Sequence, residues 1–183
     1  MENSIIERLI AGNHRFLTAE RSSGDYSPAR RLDTVETGQR PYAIVISCAD
    51  SRVMPESIFS AGLGDLFVIR IAGNVLDAHQ LGSIEYAAAH LGSKLILVLG
   101  HIGCGAVSAA LSGHGEGYIR YITDEIQKAI GEERDPDAAC RLNVLHGVEM
   151  IRQAFRDHPE IPSAELEIRG AVYDIRSGAV EWL

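Results

Sequence analysis

Long hydrophobic runs are missing from this chain. No apolar stretch approaches the roughly 20 residues that a membrane-spanning helix needs, so a membrane partner is not expected. The opening stretch, MENSIIERLIAGNHRF, breaks its apolar pattern with Glu2, Glu7 and Arg8. It lacks the basic start, continuous apolar stretch and small-residue cleavage site of a secretory signal, and a cytoplasmic location is the expectation. Basic residues are in deficit: 17 Lys and Arg stand against 25 Asp and Glu, a formal net charge of -8. That balance argues against nucleic acid and anionic membrane as partners. Cysteines are few, and the three present, Cys48, Cys104 and Cys140, form no C-x-x-C pair. An odd number in a chain with no secretory signal argues against a disulfide framework and for metal binding or reactivity. Internal repeats, low-complexity tracts and any break marking a second domain are also absent.

What is present is 183 residues, enough for one domain with a real hydrophobic core. From Ser4 to Ala19 the residues Ile5, Ile6, Leu9, Ile10, Phe16 and Leu17 make an apolar stripe at helical spacing. The polar stretch that follows, ERSSGDYSPARRLDTVETGQRP, has too little periodicity to assign. It is long for a structureless loop and is expected to wrap a surface or a partner subunit. Residues 1–40 are thus read as an N-terminal helix and arm, and 41–183 as the body of one globular domain overall.

Three short apolar runs rich in β-branched residues come next: Tyr42–Ser47, Asp65–Gly73 and Lys94–Gly100. Such runs suit parallel strands covered on both faces. Helical segments are expected at Pro55–Ala61, Gln80–Leu91, Ala106–Leu111, Tyr118–Ile130 and Ala138–Phe155. The closing ELEIRGAVYDIRSGAVEWL reads as a strand, a turn at RSG and a last short strand. The fold class is α/β: a central, mostly parallel sheet flanked by helices, with an antiparallel C-terminal edge strand.

Two motifs fall at strand ends. Cys48 lies one residue beyond the first strand and His101 one beyond the third. In open α/β sheets ligands bind outside the carboxyl ends of the strands where strand order reverses, so Cys48 and HIGCG (His101–Gly105) should meet. Either motif alone is weak. H-x-x-C alone is more often a chance pairing, and an Asp–Arg pair after a strand can simply hold a turn. Together, each at a strand end, they point to a metal site. Thiolate and imidazole suit Zn²⁺, and three protein ligands with a fourth position free is the arrangement of a catalytic zinc. Asp50 can accept a hydrogen bond from metal-activated water or close the site as a fourth ligand, and Arg52 can hold it off with a bidentate pair. Zinc would turn water into a hydroxide nucleophile. Two thiolates offset the metal's charge, so activity is expected to rise toward alkaline pH. Cys140 reads as a small buried apolar residue, and His79, His90, His114, His146 and His158 as surface or capping residues.

CADSR (Cys48–Arg52) and GHIGCGAV (Gly100–Val107) resemble the C-x-D-x-R and H-x-x-C motifs of the β-class carbonic anhydrases. The likeness extends through GNHRF (Gly12–Phe16), GDLFVIRIAGN (Gly64–Asn74), GSIEYAAAHLG (Gly82–Gly92) and IRGAVYDIRSGAV, nearly the whole chain. The resemblance implies one zinc per chain on Cys48, His101 and Cys104, the Asp50–Arg52 pair beside it, and reversible hydration of CO₂ to bicarbonate and a proton. It implies the plant-like pocket pattern of Gln39, Phe67 and Tyr86, with the Gln39 amide donating to a substrate oxygen. It also implies a homo-oligomer built from dimers, with the active site at the subunit interface and the N-terminal helix over the partner. Taken as residues alone, Phe67 and Tyr86 read as plain core. Two departures stand out. Ile71 replaces a common asparagine, which puts hydrogen bonding behind the site in question. Val45 replaces the tryptophan of an inhibitory bicarbonate pocket, which is not expected here.

Competing readings are a same-family hydrolase of carbon disulfide or carbonyl sulfide, a non-catalytic zinc protein closed by Asp50, and a dithiol redox protein using Cys48 and Cys104. The missing C-x-x-C weighs against the last.

Overall fold

The computed structural model describes residues 4–18, 24–161 and 165–183. Helix α1 (Ile5–Thr18) opens the chain. Its expected last residue, Ala19, lies outside the described residues, as do residues 20–23 of the polar stretch. The rest of that stretch is not structureless: it contains helix α2 (Pro28–Thr37). The local signals were there. Ser27 Oγ accepts from the Arg30 N–H at 3.1 Å, and Pro28 takes the first helical position. Periodicity missed α2 because the helix buries no residue and so carries no apolar stripe.

The sheet follows: β1 (Ala43–Ser47), helix α3 (Pro55–Ile58), β2 (Leu66–Arg70), a 3-10 turn at Ala72–Asn74, α4 (Ala78–His90) and β3 (Leu95–His101). Then come α5 (Gly105–Leu111), α6 (Ile119–Ile130), α7 (Pro136–Ala154), β4 (Glu167–Tyr173) and β5 (Val180–Trp182). Strand order is β2-β1-β3-β4-β5, parallel except for the antiparallel edge strand β5. Two helices start earlier than apolar spacing indicated because polar caps set their ends. Asp77 and Gln80 form a capping box before α4, and Asp135 caps α7 ahead of Pro136. His101 is the last residue of β3, paired with Tyr173, and not one residue past it.

Alternation along the strands sorts the core into two faces. Ile44, Ile46, Ile96 and Val98 pack with residues of α4 and α7 on one face. Ala43, Val45, Leu95, Leu97 and Leu99 pack with Leu9 of α1 and Ile58 and Phe59 of the α3 region on the other. Beyond the carboxyl ends of β1 and β3, a third cluster joins Cys48 and Cys104 to Val107, Ile126 and Cys140.

The GNHRF stretch explains the seat of α1. A Cβ on Gly12 would lie 2.0 Å from the Phe59 carbonyl oxygen, so only glycine permits this approach. Asn13, buried, donates to the Ile58 and Gly178 carbonyls at 3.2 and 2.9 Å and accepts from the Val180 N–H at 3.2 Å. One amide thus ties the first helix to α3 and to the C-terminal hairpin. Arg8 of α1 and Arg30 of α2 both reach Asp65, at 3.2 and 3.4 Å. Arg8 also lies 3.6 Å from the centre of the Tyr42 ring.

Candidate metal centre

β1 and β3 are neighbours in the sheet, with Ser47 paired to Leu99. That register brings Cys48, just past β1, beside His101 at the end of β3. The next turn carries Cys104 to the start of α5. The ligand atoms of Cys48, His101 and Cys104 all lie within 4.8 Å of one another, and all three residues are buried. The two sulfurs are 3.9 Å apart.

The side chains fit a metal ion. His101 Nδ1 lies 3.1 Å from the Ile102 carbonyl, which can only accept, so Nδ1 carries the proton. Nε2 then offers a lone pair, yet it is buried and has no hydrogen-bond partner among the described residues. A buried ring nitrogen without a partner is costly unless an electrophile takes its lone pair. Cys48 Sγ accepts from the Asp50 N–H at 3.4 Å and the Gly73 N–H at 3.3 Å, as a thiolate does. The hydrogen bond from the Cys104 thiol pulls the Cys48 thiol well below its ordinary range, and His101 and the two amides add to this. The same shared bond, with burial, pushes the Cys104 thiol up. Cys104 thus keeps its proton as donor to the Cys48 thiolate, and a divalent ion with sulfur and imidazole preference would displace that proton and match the set of two sulfurs and one imidazole nitrogen.

Asp50 stands beside this centre. Its Oδ2 is 3.9 Å from His101 Nε2. Arg52 donates to Asp50 through its backbone N–H at 2.9 Å, Nε at 3.0 Å and Nη2 at 2.7 Å. These bonds hold the Asp50 carboxyl well below the usual carboxylate range. Arg70 was not singled out from the sequence. Its Nε donates to the Cys48 carbonyl at 3.2 Å and its Nη2 to the Asp50 carbonyl at 2.7 Å. It ends β2 in register with Ser47, so the strand-end rule that found Cys48 would have found it too. Ile71 turns out to act through its backbone. Its carbonyl accepts from Ala49 and Asn74, and its N–H donates to Ser47. Hydrogen bonding behind the site therefore does not need an asparagine side chain at this position.

The three expected pocket residues separate. Gln39 lines a groove of about 700 Å³ together with Tyr26, Met54, Glu56 and Arg70. Through Arg70 that groove borders the Cys48–Asp50 loop. Phe67 and Tyr86 pair with each other, ring centres 6.3 Å apart; Phe67 packs on the α4 face of the core, whereas Tyr86 is 48% exposed and is not the plain core residue its helical spacing indicated. Phe67 is in register with Ile44, toward the start of β1, whereas Cys48 follows its end. Within one chain these two rings do not share a cluster with the metal ligands. Cys140 is buried as expected, but it sits in the same cluster as the two metal sulfurs, and burial pushes its thiol up.

Residues 43–180 match the family described as carbonic anhydrase. The carbonic anhydrase of Mycolicibacterium smegmatis is 44% identical over 181 residues, covering 93% of this chain and 87% of that protein. Carbonic anhydrase 2 of Mycobacterium tuberculosis is 44% identical over 127 residues, 67% of this chain and 61% of the relative's length. Among solved structures, the Coccomyxa β-carbonic anhydrase in complex with acetazolamide superposes with a TM-score of 0.72 at 30% identity, over 85% of this chain and 78% of that one. A tetrameric β-carbonic anhydrase from Sordaria macrospora gives 0.71 at 28% identity, over 85% and 87%.

Proposed function

The chain belongs to the carbonic anhydrase family, in its β class, and from that membership we propose that it catalyses the reversible hydration of CO₂ to bicarbonate and a proton. The observation that carries this reading is the partnerless Nε2 of His101, converging with two cysteine sulfurs beside a carboxylate that Arg52 holds. Zinc bound there supplies a Lewis acid that makes water a nucleophile near neutral pH.

The chain's own residues do the rest. Cys48, His101 and Cys104 hold the ion. Asp50 accepts a hydrogen bond from the reacting water, and Arg52 occupies both Asp50 oxygens so that the carboxylate stays off the ion. Gln39 donates its amide to the oxygen of CO₂ on which negative charge develops. Phe67 and Tyr86 supply the apolar wall of a small slot.

Because those two rings stand apart from the metal ligands of their own chain, a second copy brings them to the site. Supporting features are the edge position of β2 and the exposed face of helix α2. On that helix Leu32 and Val35 are 62% and 77% exposed. Dimers, or multiples of them, follow. Among the described residues no helix is long and apolar enough to cross a membrane. Three free cysteines, two of them in the proposed metal site, favour a reducing compartment such as the cytoplasm.

Stopped-flow CO₂ hydration with a pH indicator, paired with metal analysis, tests the proposal. About one zinc per chain together with CO₂ hydration is the expected result. Zinc without hydration would mean that Asp50, only 3.9 Å from His101 Nε2, closes the site. Turnover of carbonyl sulfide or carbon disulfide in place of CO₂ would assign the same centre to a sulfur analogue.

A further inference from the structure

Asn143 lies on α7, outside every motif that pointed to the metal centre. It is 4% exposed, in the middle of a helix, where a polar amide needs a reason. Its Nδ2 donates to the Gly73 carbonyl at 2.8 Å. The N–H of the same glycine donates to Cys48 Sγ at 3.3 Å. One residue therefore receives a restraint from α7 and delivers a hydrogen bond to the sulfur.

The turn between them needs outside support. Gly73 has φ 67°, and the next residue, Asn74, has φ 46° although it is not glycine. Glycine adopts this conformation freely, but it costs Asn74, which has a Cβ, free energy, so the turn gains from contacts beyond its own residues. α6 presses on the turn from one side, since a Cβ at Gly73 would lie 2.7 Å from Ile126 Cδ1. The Asn143 amide pulls from the other. With the Gly73 carbonyl fixed and the glycine packed under Ile126, the direction of its N–H is set.

We propose that Asn143 is a positioning residue for the metal centre, aiming the Gly73 N–H at the Cys48 sulfur and so tuning how strongly that sulfur donates to the metal. This rests on Cys48 being a metal ligand. A hydrogen bond to a ligating thiolate draws electron density from the sulfur, and groups that orient metal ligands change both affinity and electronic character.

The test uses the full chain loaded with Co²⁺, whose sulfur-to-metal charge-transfer band reports thiolate donation directly. Asn143→Leu keeps the approximate volume and removes the donor. Its expected signature is a shifted charge-transfer band and a 10- to 100-fold lower metal affinity in chelator competition, roughly the range for loss of an outer-shell partner. Thr123→Val serves as the control, because Thr123 is also buried and its hydroxyl donates to the Ile119 and Arg120 carbonyls of its own helix. The control is expected to lose thermal stability without moving the band. If Asn143→Leu does not fold, Asn143→Ser, which is too short to reach Gly73, is read in its place. An unmoved band and unchanged affinity in a folded Asn143 variant would reduce the residue to a helix-to-loop tie and overturn the proposal. Absence of any thiolate band in the unaltered protein would instead overturn the metal reading itself.

Discussion

Asp50 Oδ2 is shared in space between two partners: Arg52 Nη2 at 2.7 Å and His101 Nε2 at 3.9 Å. The nearer partner makes a charge-assisted bond, while the farther distance is too long for any hydrogen bond. Arg52 therefore decides where the carboxylate stays.

Removing that clamp frees Asp50 to move onto the metal. Arg52→Ala should keep its zinc and lose about a hundredfold in CO₂ hydration, in the range for a displaced proton-handling group. Arg52→Lys should not restore it, because one ammonium cannot span two carboxylate oxygens. Zinc content and initial rates measured on the same preparations decide the matter.

The pH dependence separates Asp50 from the metal's water. The folded-state pKa of Asp50 is depressed, so its contribution to stability is complete above the unfolded value of about 3.9 and is lost as pH falls through the folded value. Nothing at Asp50 changes between pH 6 and 9. A rise in hydration rate across that window is therefore not Asp50's; the proposed chemistry expects it from the reacting water, and a flat profile would contradict that chemistry. On the acid side, Asp50→Asn should weaken the loss of stability that the unaltered protein shows below about pH 4, as read from urea midpoints at pH 3 and pH 7.

Helix α1 depends on Gly12 and Asn13. Gly12→Ala drives a methyl against the Phe59 carbonyl, and Asn13→Ala leaves two carbonyls and one N–H without their partner. Each should lower stability by about 1–3 kcal/mol in denaturant titrations. A neutral result for Asn13→Ala would mean that water replaces the amide at no cost.

The two halves of the proposed slot can be separated genetically. A Cys48→Ser chain lacks a metal ligand, and a Phe67→Ala chain lacks a ring. If each site takes its ring from the partner, one site in a mixed dimer carries both defects and the other carries neither. Mixing two nearly inactive variants should then restore activity. No recovery, with hybrid formation verified by mass, would put Phe67 and the metal in the same chain's site.

Legibility followed the range of the interaction. The strand runs were plain because both faces of β1 and β3 are buried, leaving apolar residues at nearly every position before their carboxyl ends. α2 escaped because it buries nothing, so only its Ser27 cap and Pro28 marked it. Arg70 stands at a strand end in register with Ser47 and was within reach of the rule that found Cys48. Asn143 escaped for another reason: it acts by donating to a backbone carbonyl, and a carbonyl leaves no trace in residue identity.

The sequence alone determined the fold class and singled out Cys48, His101 and Cys104, the three residues that the fold brings together, because strand periodicity and the chemistry of sulfur and imidazole are written residue by residue. Only the tertiary structure decided that His101 is protonated on Nδ1 and offers Nε2, that Arg52 holds Asp50 beside it, and that Phe67 and Tyr86 pair away from Cys48, His101 and Cys104. Those are matters of register and of distances near 3 Å between residues remote in the chain. Spacing along one dimension carries no direction for a lone pair and no face for a ring.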